Sequence, residues 1–179
     1  HLESQIIDYI SKNKFQLDIK IIKEKNKILD TGGGVLNAIH LFDKENFLII
    51  NPDTIWNSRY VNEIKLMEKN FLKSEKNRCS LLVVDKKKSF DKLMGGDFSL
   101  KKKILSRKKE GNLDYIYTGA QIIKPNIFDG IDKKIFSINE VWNKLILNNE
   151  LYGQESHVNF LHVSTLEIYK SLVNKEIKF

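Results

Sequence analysis

A run of three glycines leads directly into an apolar, helix-like segment, and it constrains this chain more than any other feature. Residues 28–35 read ILDTGGGV. Three consecutive glycines lose much backbone entropy on folding, so such a run is expected where φ is positive or where the backbone approaches another group closely. Free amides at the start of the following helix, together with the helix dipole, favour an anion such as phosphate. The spacing matches neither GxGxxG nor GxxxxGK[ST], so the same glycines also fit a plain tight loop.

A short apolar strand follows this helix and ends in a carboxylate. Residues 47–50 read FLII, and Asn51-Pro52-Asp53 comes directly after them. Open α/β sheets place their ligands just beyond the carboxyl ends of strands. Asp53 is therefore a candidate metal ligand beside a nucleotide, although an aspartate at this place also fits a cap of the next element.

Helical and strand-like segments alternate along the first half of the chain. The predicted elements are helix Leu2–Lys12, strand Leu17–Ile22, helix Val35–Phe42, strand Phe47–Asn51, helix Arg59–Leu72 and strand Cys79–Val84. This alternation predicts an α/β fold with a Rossmann-like, mostly parallel sheet sandwiched by helices. Because the chain opens on a helix that leads into a strand, we expect the first β-α unit to be missing. Residues 1–179 are thus expected to form a single, N-terminally incomplete domain.

The second half of the chain adds a hairpin, a long strand and a capped helix. A glycine pair before Phe98 introduces a predicted small β-hairpin insertion. Gly119 lies inside the next strand, and a glycine there suggests a bulge or the close approach of a ligand. Ser137 and Glu140 have the spacing of a capping box, and the helix that they start carries Trp142 on its apolar face. We interpret Ser137 and Glu140 as structural residues.

The chain is basic, with a net charge of +7 from 30 Lys+Arg against 23 Asp+Glu. The densest basic clusters, 86–88, 101–103 and 107–109, lie in predicted loops without interleaved aromatic residues. A solvated surface is therefore favoured over its rival, a nucleic-acid-binding domain. The apolar runs are too short to cross a bilayer, and the single Cys79 fits a core position in a reducing cytoplasm. We expect a cytoplasmic protein with no nucleic-acid or membrane partner.

Six motifs occur in the order that is typical of one family. They are Asp-Thr-Gly-Gly-Gly before a helix, Asn-x-Asp at a strand end, Gly-Asp-Phe-Ser-Leu, Tyr-Thr-Gly-Ala-Gln-Ile-Ile-Lys-Pro, Phe-Ser-Ile-Asn-Glu-Val-Trp and His-Val-Ser-Thr-Leu-Glu. In this order they resemble the sugar-1-phosphate nucleotidyltransferases. Within that family they look like the short bacterial branch of N-acetylmuramate-1-phosphate uridylyltransferase and mannose-1-phosphate guanylyltransferase-like proteins. The resemblance extends from Leu2 to Leu172.

The resemblance implies an activity and a set of site residues. The implied reaction transfers NMP from an NTP, UTP or GTP, to a sugar 1-phosphate, with Mg²⁺ as cofactor and nucleotide-sugar biosynthesis for the cell envelope as its purpose. The implied nucleotide-binding residues are Thr31, Gly32, Gly33 and Asn51; the implied sugar-phosphate-binding residues are Asp97 and Gly119; the implied metal ligands are Asp53, which is also catalytic, and His162.

The chain departs from the family pattern at several places. Pro52 stands where the family has Gly, Ser164 also replaces a usual Gly, and His162 stands where many members have a second Asp. Imidazole is a less natural magnesium ligand than carboxylate, so His162 is equally expected as a hydrogen-bonded strand-end residue. The family's Gly-x-Gly-x-Arg loop is not in this sequence, and the chain alone is expected to be inactive. An inactive or truncated relative that binds a nucleotide-sugar as a sensor or partner module is therefore the alternative.

Overall fold

The structure is a computed structural model that describes residues 2–24, 27–107 and 112–174. These ranges contain five α-helices and six strands. The helices are α1 (Glu3–Lys12), α2 (Asp30–Ala38), α3 (Arg59–Leu72), α4 (Ile138–Leu147) and α5 (Leu166–Asn174), and the strands are β1 (Phe47–Ile50), β2 (Cys79–Asp85), β3 (Ser99–Lys101), β4 (Ile104–Ser106), β5 (Tyr115–Ile123) and β6 (Leu151–Ser156). Short 3₁₀ helices follow α2, β2 and β5 at Ile39–Phe42, Lys86–Lys88 and Pro125–Phe128. No helix in the described ranges has the length and apolar character needed to cross a membrane.

The six described strands form one sheet in the order β1-β5-β2-β6-β4-β3. β2 and β6 pair in parallel, and the other neighbouring pairs are antiparallel. The predicted α/β class is confirmed, but the sheet is mixed rather than mostly parallel in its pairing. β1, β2, β3 and β6 run in one direction, whereas β5 lies antiparallel between β1 and β2. The chain enters β5 from the hairpin rather than through a crossover helix, and antiparallel pairing requires no such crossover.

Alternate residues of the central strand β2 face the two sides of the sheet, as the two-residue repeat of a strand requires. Leu81 and Val83 pack in the core cluster that contains the apolar face of α4. Leu82 packs with Met67 and Phe71 of α3 on the opposite side. All five side chains are almost completely buried. The predicted arrangement of helices on both sides of the sheet is therefore confirmed.

Cys79 begins β2 and is fully buried. Burial raises the pKa of its thiol far above the usual range. The Sγ atom lies 3.6 Å from Oε1 of Gln121 on the neighbouring strand β5. The prediction that this cysteine fills the core is confirmed.

The predicted strand Leu17–Ile22 is wrong. This segment has no strand partner among the described residues and leaves apolar side chains such as Leu17 and Ile21 exposed. An alternating pattern gives a strand only where a neighbouring chain pairs its backbone groups. The preceding helix is present as α1, but none of its side chains is buried.

The predicted hairpin insertion is confirmed as β3 and β4, which pair from Ser99–Ser106 to Lys101–Ile104. The two residues of the turn, Lys102 and Lys103, have φ values of 50° and 69°. Two consecutive positive φ angles are the mark of a type I′ turn, whose twist matches that of the strands it joins.

Gly119 lies at an irregularity of β5, where the pairing with β2 shifts register between Leu81 and Val83. Its φ is +96°, and a Cβ at this position would lie 2.9 Å from Cβ of Asn51 and 3.2 Å from Oγ1 of Thr54. The predicted bulge is confirmed. The loop after β1 approaches the glycine closely.

The substitution Gly119→Ala tests this contact. We expect it to lower the free energy of unfolding by about 2 kcal/mol or more, because it combines a strained φ with an overlap that the loop after β1 has to relieve. Urea denaturation followed by circular dichroism measures the change. Gly95→Ala is the matched control, since no atom lies within 4 Å of its added Cβ. Equal stability of the two variants would contradict the assignment of Gly119 to a strained, close-packed position.

Candidate functional site

A cleft of about 770 Å³ lies over β1 and β5, between α2 and the start of α4. Its polar and aromatic lining includes Thr31, Asn51, Asp97, Arg107, Tyr117, Gln121, Ser137, Asn139 and Trp142. A second cavity of about 850 Å³, between the 3₁₀ helices Ile39–Phe42 and Pro125–Phe128, contains none of the predicted site residues. The first cleft is therefore the candidate site.

Some of the predicted site residues line this cleft, and others do not. The lining contains Thr31 from α2, Asn51 from the end of β1 and Asp97 from the segment before β3. The remaining predicted residues are not part of the lining: Gly32 and Gly33 are buried in α2, Gly119 lies behind Asn51, and Asp53 pairs with His162 beyond the end of β1.

The glycine run forms the first turn of α2 and has no positive φ. The amides of Gly32 and Gly33 donate to the carbonyl oxygen of Phe136 at 2.9 and 3.1 Å. A Cβ on Gly32 would overlap the ring of Phe136, and one on Gly33 would overlap the carbonyl oxygen of Lys134. The predicted close approach is confirmed, but the approaching group is the protein itself. The hypothesis that these amides bind phosphate is wrong, because they already have an acceptor.

Thr31 connects the first turns of two helices. Its Oγ1 accepts a hydrogen bond from the amide of Ile138, the first residue of α4, at 3.0 Å. Its own amide donates to the carboxylate of Asp30. The hydroxyl of Thr31 therefore satisfies an amide that a helix leaves without an internal partner.

The predicted capping box at α4 is half formed. Oγ of Ser137 accepts from the amide of Asn139 at 3.3 Å, as an N-cap does. The second hydrogen bond of the box, from the amide of Ser137 to the side chain of Glu140, does not form. Oε1 of Glu140 instead pairs with Nζ of Lys133 at 2.8 Å. Ser137 is structural as expected, and it also lines the cleft.

Asp97 and Arg107 enter the cleft from the two segments that flank the hairpin of β3 and β4. Oδ2 of Asp97 accepts from the amide of Tyr117 at 2.9 Å. Nη1 and Nη2 of Arg107 donate to Oδ1 of Asn143 and Oδ1 of Asn139 at 2.9 and 2.6 Å. Each of these charged groups is thus held in a fixed direction by neutral partners.

Arg107 is half-buried, although its basic cluster is predicted to be solvated surface. Its guanidinium carbon lies 4.5 Å from the ring centre of Phe98, a cation–π contact. Burial lowers the pKa of Arg107, and the negative charge of Asp97 opposes this shift. The guanidinium stays charged at neutral pH. Lys108 and Lys109 of the same cluster lie outside the described residues.

The floor of the cleft is polar and aromatic. Nε1 of Trp142 donates to Oε1 of Gln121 at 3.0 Å, and the rings of Trp142 and Tyr117 meet edge to face at 4.9 Å. Burial above all, with a smaller contribution from the charge of Asp53, raises the pKa of Tyr117 well above its usual value. The Tyr117 hydroxyl is therefore neutral, and Asp53 lies within electrostatic range of the cleft floor.

Asp53 and His162, the two metal ligands that the resemblance implies, lie close together, with 3.2 Å between Oδ2 and Nε2. Backbone contacts keep the two residues close. The amide of Val163 donates to the carbonyl oxygen of Asp53, and Thr54 forms an isolated antiparallel β-bridge with His162. The Asp53 side chain is 46% exposed. It fits Mg²⁺, which commonly takes one or two carboxylates together with substrate phosphates.

His162 fits a metal less well than Asp53 does. Its Nδ1 is buried and has no hydrogen-bond partner among the described residues. A histidine that binds a metal through Nε2 carries its proton on Nδ1 and normally donates it to an acceptor. No cluster of three or more His, Cys, Asp or Glu suited to a metal occurs in the described part of the chain. The geometry favours donation from Nε2 of His162 to the Asp53 carboxylate.

Sequence reasoning missed Arg107 and the amides that hold it. One signal was present: Asn139 and Asn143 are four residues apart, so they share a face of α4. The short motif around Ser137 suggested a helix cap and a family resemblance, but no contact with an arginine. The position of Arg107 depends on the hairpin folding back on α4, which no local pattern encodes.

The Thr31 contact can be tested by Thr31→Val, which keeps the shape and removes the acceptor. We expect the free energy of unfolding to fall by about 1–2 kcal/mol, because the Ile138 amide loses its partner. Thr31→Ser keeps the hydroxyl and should retain most of the stability. Chemical denaturation of the two variants gives the comparison. If the valine variant were as stable as the serine variant, Thr31 would not cap α4.

No family profile and no curated protein matches the chain in sequence. Solved structures do resemble it. HddC from Yersinia pseudotuberculosis, complexed with GMP-PN, superposes with a TM-score of 0.68 at 19% identity, covering 97% of this chain and 74% of that protein. The inositol-1-phosphate CTP transferase of T. maritima gives a TM-score of 0.59 at 13% identity, covering 82% of this chain and 60% of that enzyme.

A third structure is assigned as a glucose-1-phosphate thymidylyltransferase from Bacillus anthracis, in complex with a sucrose. It gives a TM-score of 0.57 at 13% identity and covers 89% of this chain and 65% of that protein. The chain thus spans about three quarters of HddC and less than two thirds of the other two proteins. At these identities the similarity shows the fold, and the predicted α/β fold class is confirmed.

Proposed function

We propose that this protein transfers a nucleoside monophosphate from an NTP to a sugar 1-phosphate and releases pyrophosphate. The observation that carries the proposal is the convergence of Thr31, Asn51 and Asp97 from three separate segments in one cleft, with Asp53 two residues beyond Asn51 in the chain. The fold that the chain shares with a thymidylyltransferase and a CTP transferase supports nucleotidyl transfer as the reaction class.

The proposal divides the lining residues between two substrates. In the proposal, Thr31 and Asn51 face the nucleotide, and Asp97 faces the sugar phosphate. Gly32 and Gly33 act indirectly, by letting α2 lie close to the segment before α4, and Gly119 does so by letting Asn51 pack on β5. GMP-PN is present in the HddC structure, so GTP is tested alongside UTP.

The proposed reaction is a single in-line displacement. A phosphate oxygen of the sugar 1-phosphate attacks the α-phosphorus of the NTP, and the bond to the bridging oxygen of the β-phosphate breaks, so that its electron pair leaves with pyrophosphate. The attacking phosphate is already an anion, so no side chain has to remove a proton. The contribution of the chain is to align the two substrates and to exclude competing orientations.

In this proposal Asp53 holds Mg²⁺, which would offset negative charge on the α-phosphate and the leaving pyrophosphate. Nε2 of His162 lies 3.2 Å from Oδ2 of Asp53, close enough to orient the carboxylate. We therefore assign His162 as a positioning residue and Asp53 as the metal ligand.

Asp53→Asn in the full-length protein tests the assignment, because asparagine can still accept from His162 but carries no charge. We expect pyrophosphate release to fall by about 100-fold or more, in line with the loss of a major electrostatic contribution. Asp132→Asn, at an exposed position away from the cleft, is the control and should keep wild-type activity. Activity is measured by coupled pyrophosphate detection with Mg²⁺, and chelation by EDTA should abolish it in the wild type. An active Asp53→Asn variant would rule out the role of Asp53.

A panel of UTP and GTP with glucose, mannose and N-acetylmuramate 1-phosphates decides between transfer and the sensor alternative. Pyrophosphate release that requires both substrates supports transfer. Nucleotide binding by calorimetry without pyrophosphate release from any pair would overturn the proposed reaction in favour of a sensor.

A further inference from the structure

The helix N-termini at the cleft are not available for an anion. Two helices begin there, and the first amides of a helix ordinarily attract phosphate. In α2, however, the amides of Gly32 and Gly33 already donate to a carbonyl oxygen of the protein. In α4, the amide of Ile138 already donates to Thr31. An anion in this cleft therefore has to be recognised by a side chain.

Among the described residues that line the cleft, Arg107 is the one with a positive charge. The negatively charged lining residues are Glu24, Asp30 and Asp97. Its two hydrogen-bond acceptors, on Asn139 and Asn143, are neutral. Within the described ranges no carboxylate oxygen forms an ion pair with it, and Asp97 acts on it only at longer range. A guanidinium that is half removed from water without a close counter-ion is electrostatically unsatisfied, and an anionic ligand would correct this.

We propose that Arg107 is the phosphate-recognising residue of the cleft and that it binds the phosphate of the sugar 1-phosphate. The proposal rests on the proposed function. A guanidinium has five N–H donors, so three remain for a phosphate once Asn139 and Asn143 are bound. Arg107 lies within electrostatic range of Asp97, the residue to which the resemblance assigns the sugar phosphate.

The geometry also makes Arg107 a selective binder. The contacts with Phe98 and the two asparagines fix the plane of the guanidinium. A fixed planar fork matches two phosphate oxygens at once, whereas a flexible ammonium group supplies charge without that match. The cleft is therefore expected to distinguish a phosphorylated sugar from the free sugar.

The cleft contains its own reporter. The chain has two tryptophans, and the ring of Trp142 lies 5.8 Å from the guanidinium carbon of Arg107. In a Trp56→Phe background, Trp142 fluorescence reports on the part of the cleft around Arg107. The probes are inorganic phosphate, glucose 1-phosphate and glucose, each titrated into the full-length protein without NTP.

The variants are Arg107→Met, Arg107→Lys and Lys101→Met, the last of which removes an exposed positive charge from the same hairpin. We expect Arg107→Met to weaken the binding of glucose 1-phosphate by about 10- to 100-fold, the range for a charge-assisted hydrogen-bonded pair. Arg107→Lys should give an intermediate loss, since it keeps the charge and loses the fork. Lys101→Met should bind as the wild type does, and glucose should produce no signal. Thermal melting checks that each variant is folded.

Three results would overturn the proposal: wild-type affinity for glucose 1-phosphate in a folded Arg107→Met variant, equal affinity of the wild type for glucose and glucose 1-phosphate, or no response of the wild type to either phosphate probe. Loss of phosphate binding in Arg107→Met and Arg107→Lys, with Lys101→Met unaffected, supports it.

Kinetics separate this proposal from the proposed function. If Arg107→Met abolishes phosphate binding but the wild type transfers no NMP in any substrate pair, the anion site stands and the transfer reaction fails. If the wild type is an active transferase and Arg107→Met raises KM for the NTP but not for the sugar 1-phosphate, the reaction stands and our assignment of Arg107 fails.

Discussion

The carbonyl oxygen of Phe136 accepts hydrogen bonds from two consecutive glycine amides, and the shape of the cleft depends on this contact. Glycine is required on both sides of it, because a side chain on Gly32 or Gly33 would overlap Phe136 or Lys134. The contact brings the first turns of α2 and α4 together, where the hydroxyl of Thr31 joins them. A larger residue in the run would separate the two helices and widen the cleft between them.

The same contact changes how the cleft can recognise charge. Helix amides that donate to the protein cannot also donate to a ligand. The backbone here therefore joins the two helices, and recognition of a charged ligand depends on side chains. The carboxylates of the cleft lining are Glu24, Asp30 and Asp97, and Arg107 is the cation among its described residues. In our proposal the phosphate binds at Arg107, and this single charged contact would orient a substrate that carries one phosphate and several hydroxyl groups.

The sequence predicted the elements that depend on local patterns. The amphipathic pattern predicted α3, the glycine pair preceded the hairpin, and the internal glycine at 119 marked the bulge. Predictions failed where a distant segment decides the outcome: Leu17–Ile22 has the pattern of a strand without a partner, and the glycine run meets Phe136, about a hundred residues later in the chain. The role of Arg107 was not predicted, because its partners Asn139 and Asn143 lie on a distant helix and its sequence neighbours are lysines. The roles of Asp53 and His162 were inferred from a resemblance, and the structure shows their proximity while their chemistry stays a prediction.

The position of Cys79 has a practical consequence for studies of how this protein opens. It is the single cysteine of the chain, it is fully buried, and its strand is flanked by β5 and β6. Its side chain packs in the core cluster that contains the apolar face of α4, so a thiol reagent can reach it only when that layer leaves the sheet or the central strands separate. The rate of labelling therefore reports the opening of the core around the start of β2, without any engineered probe.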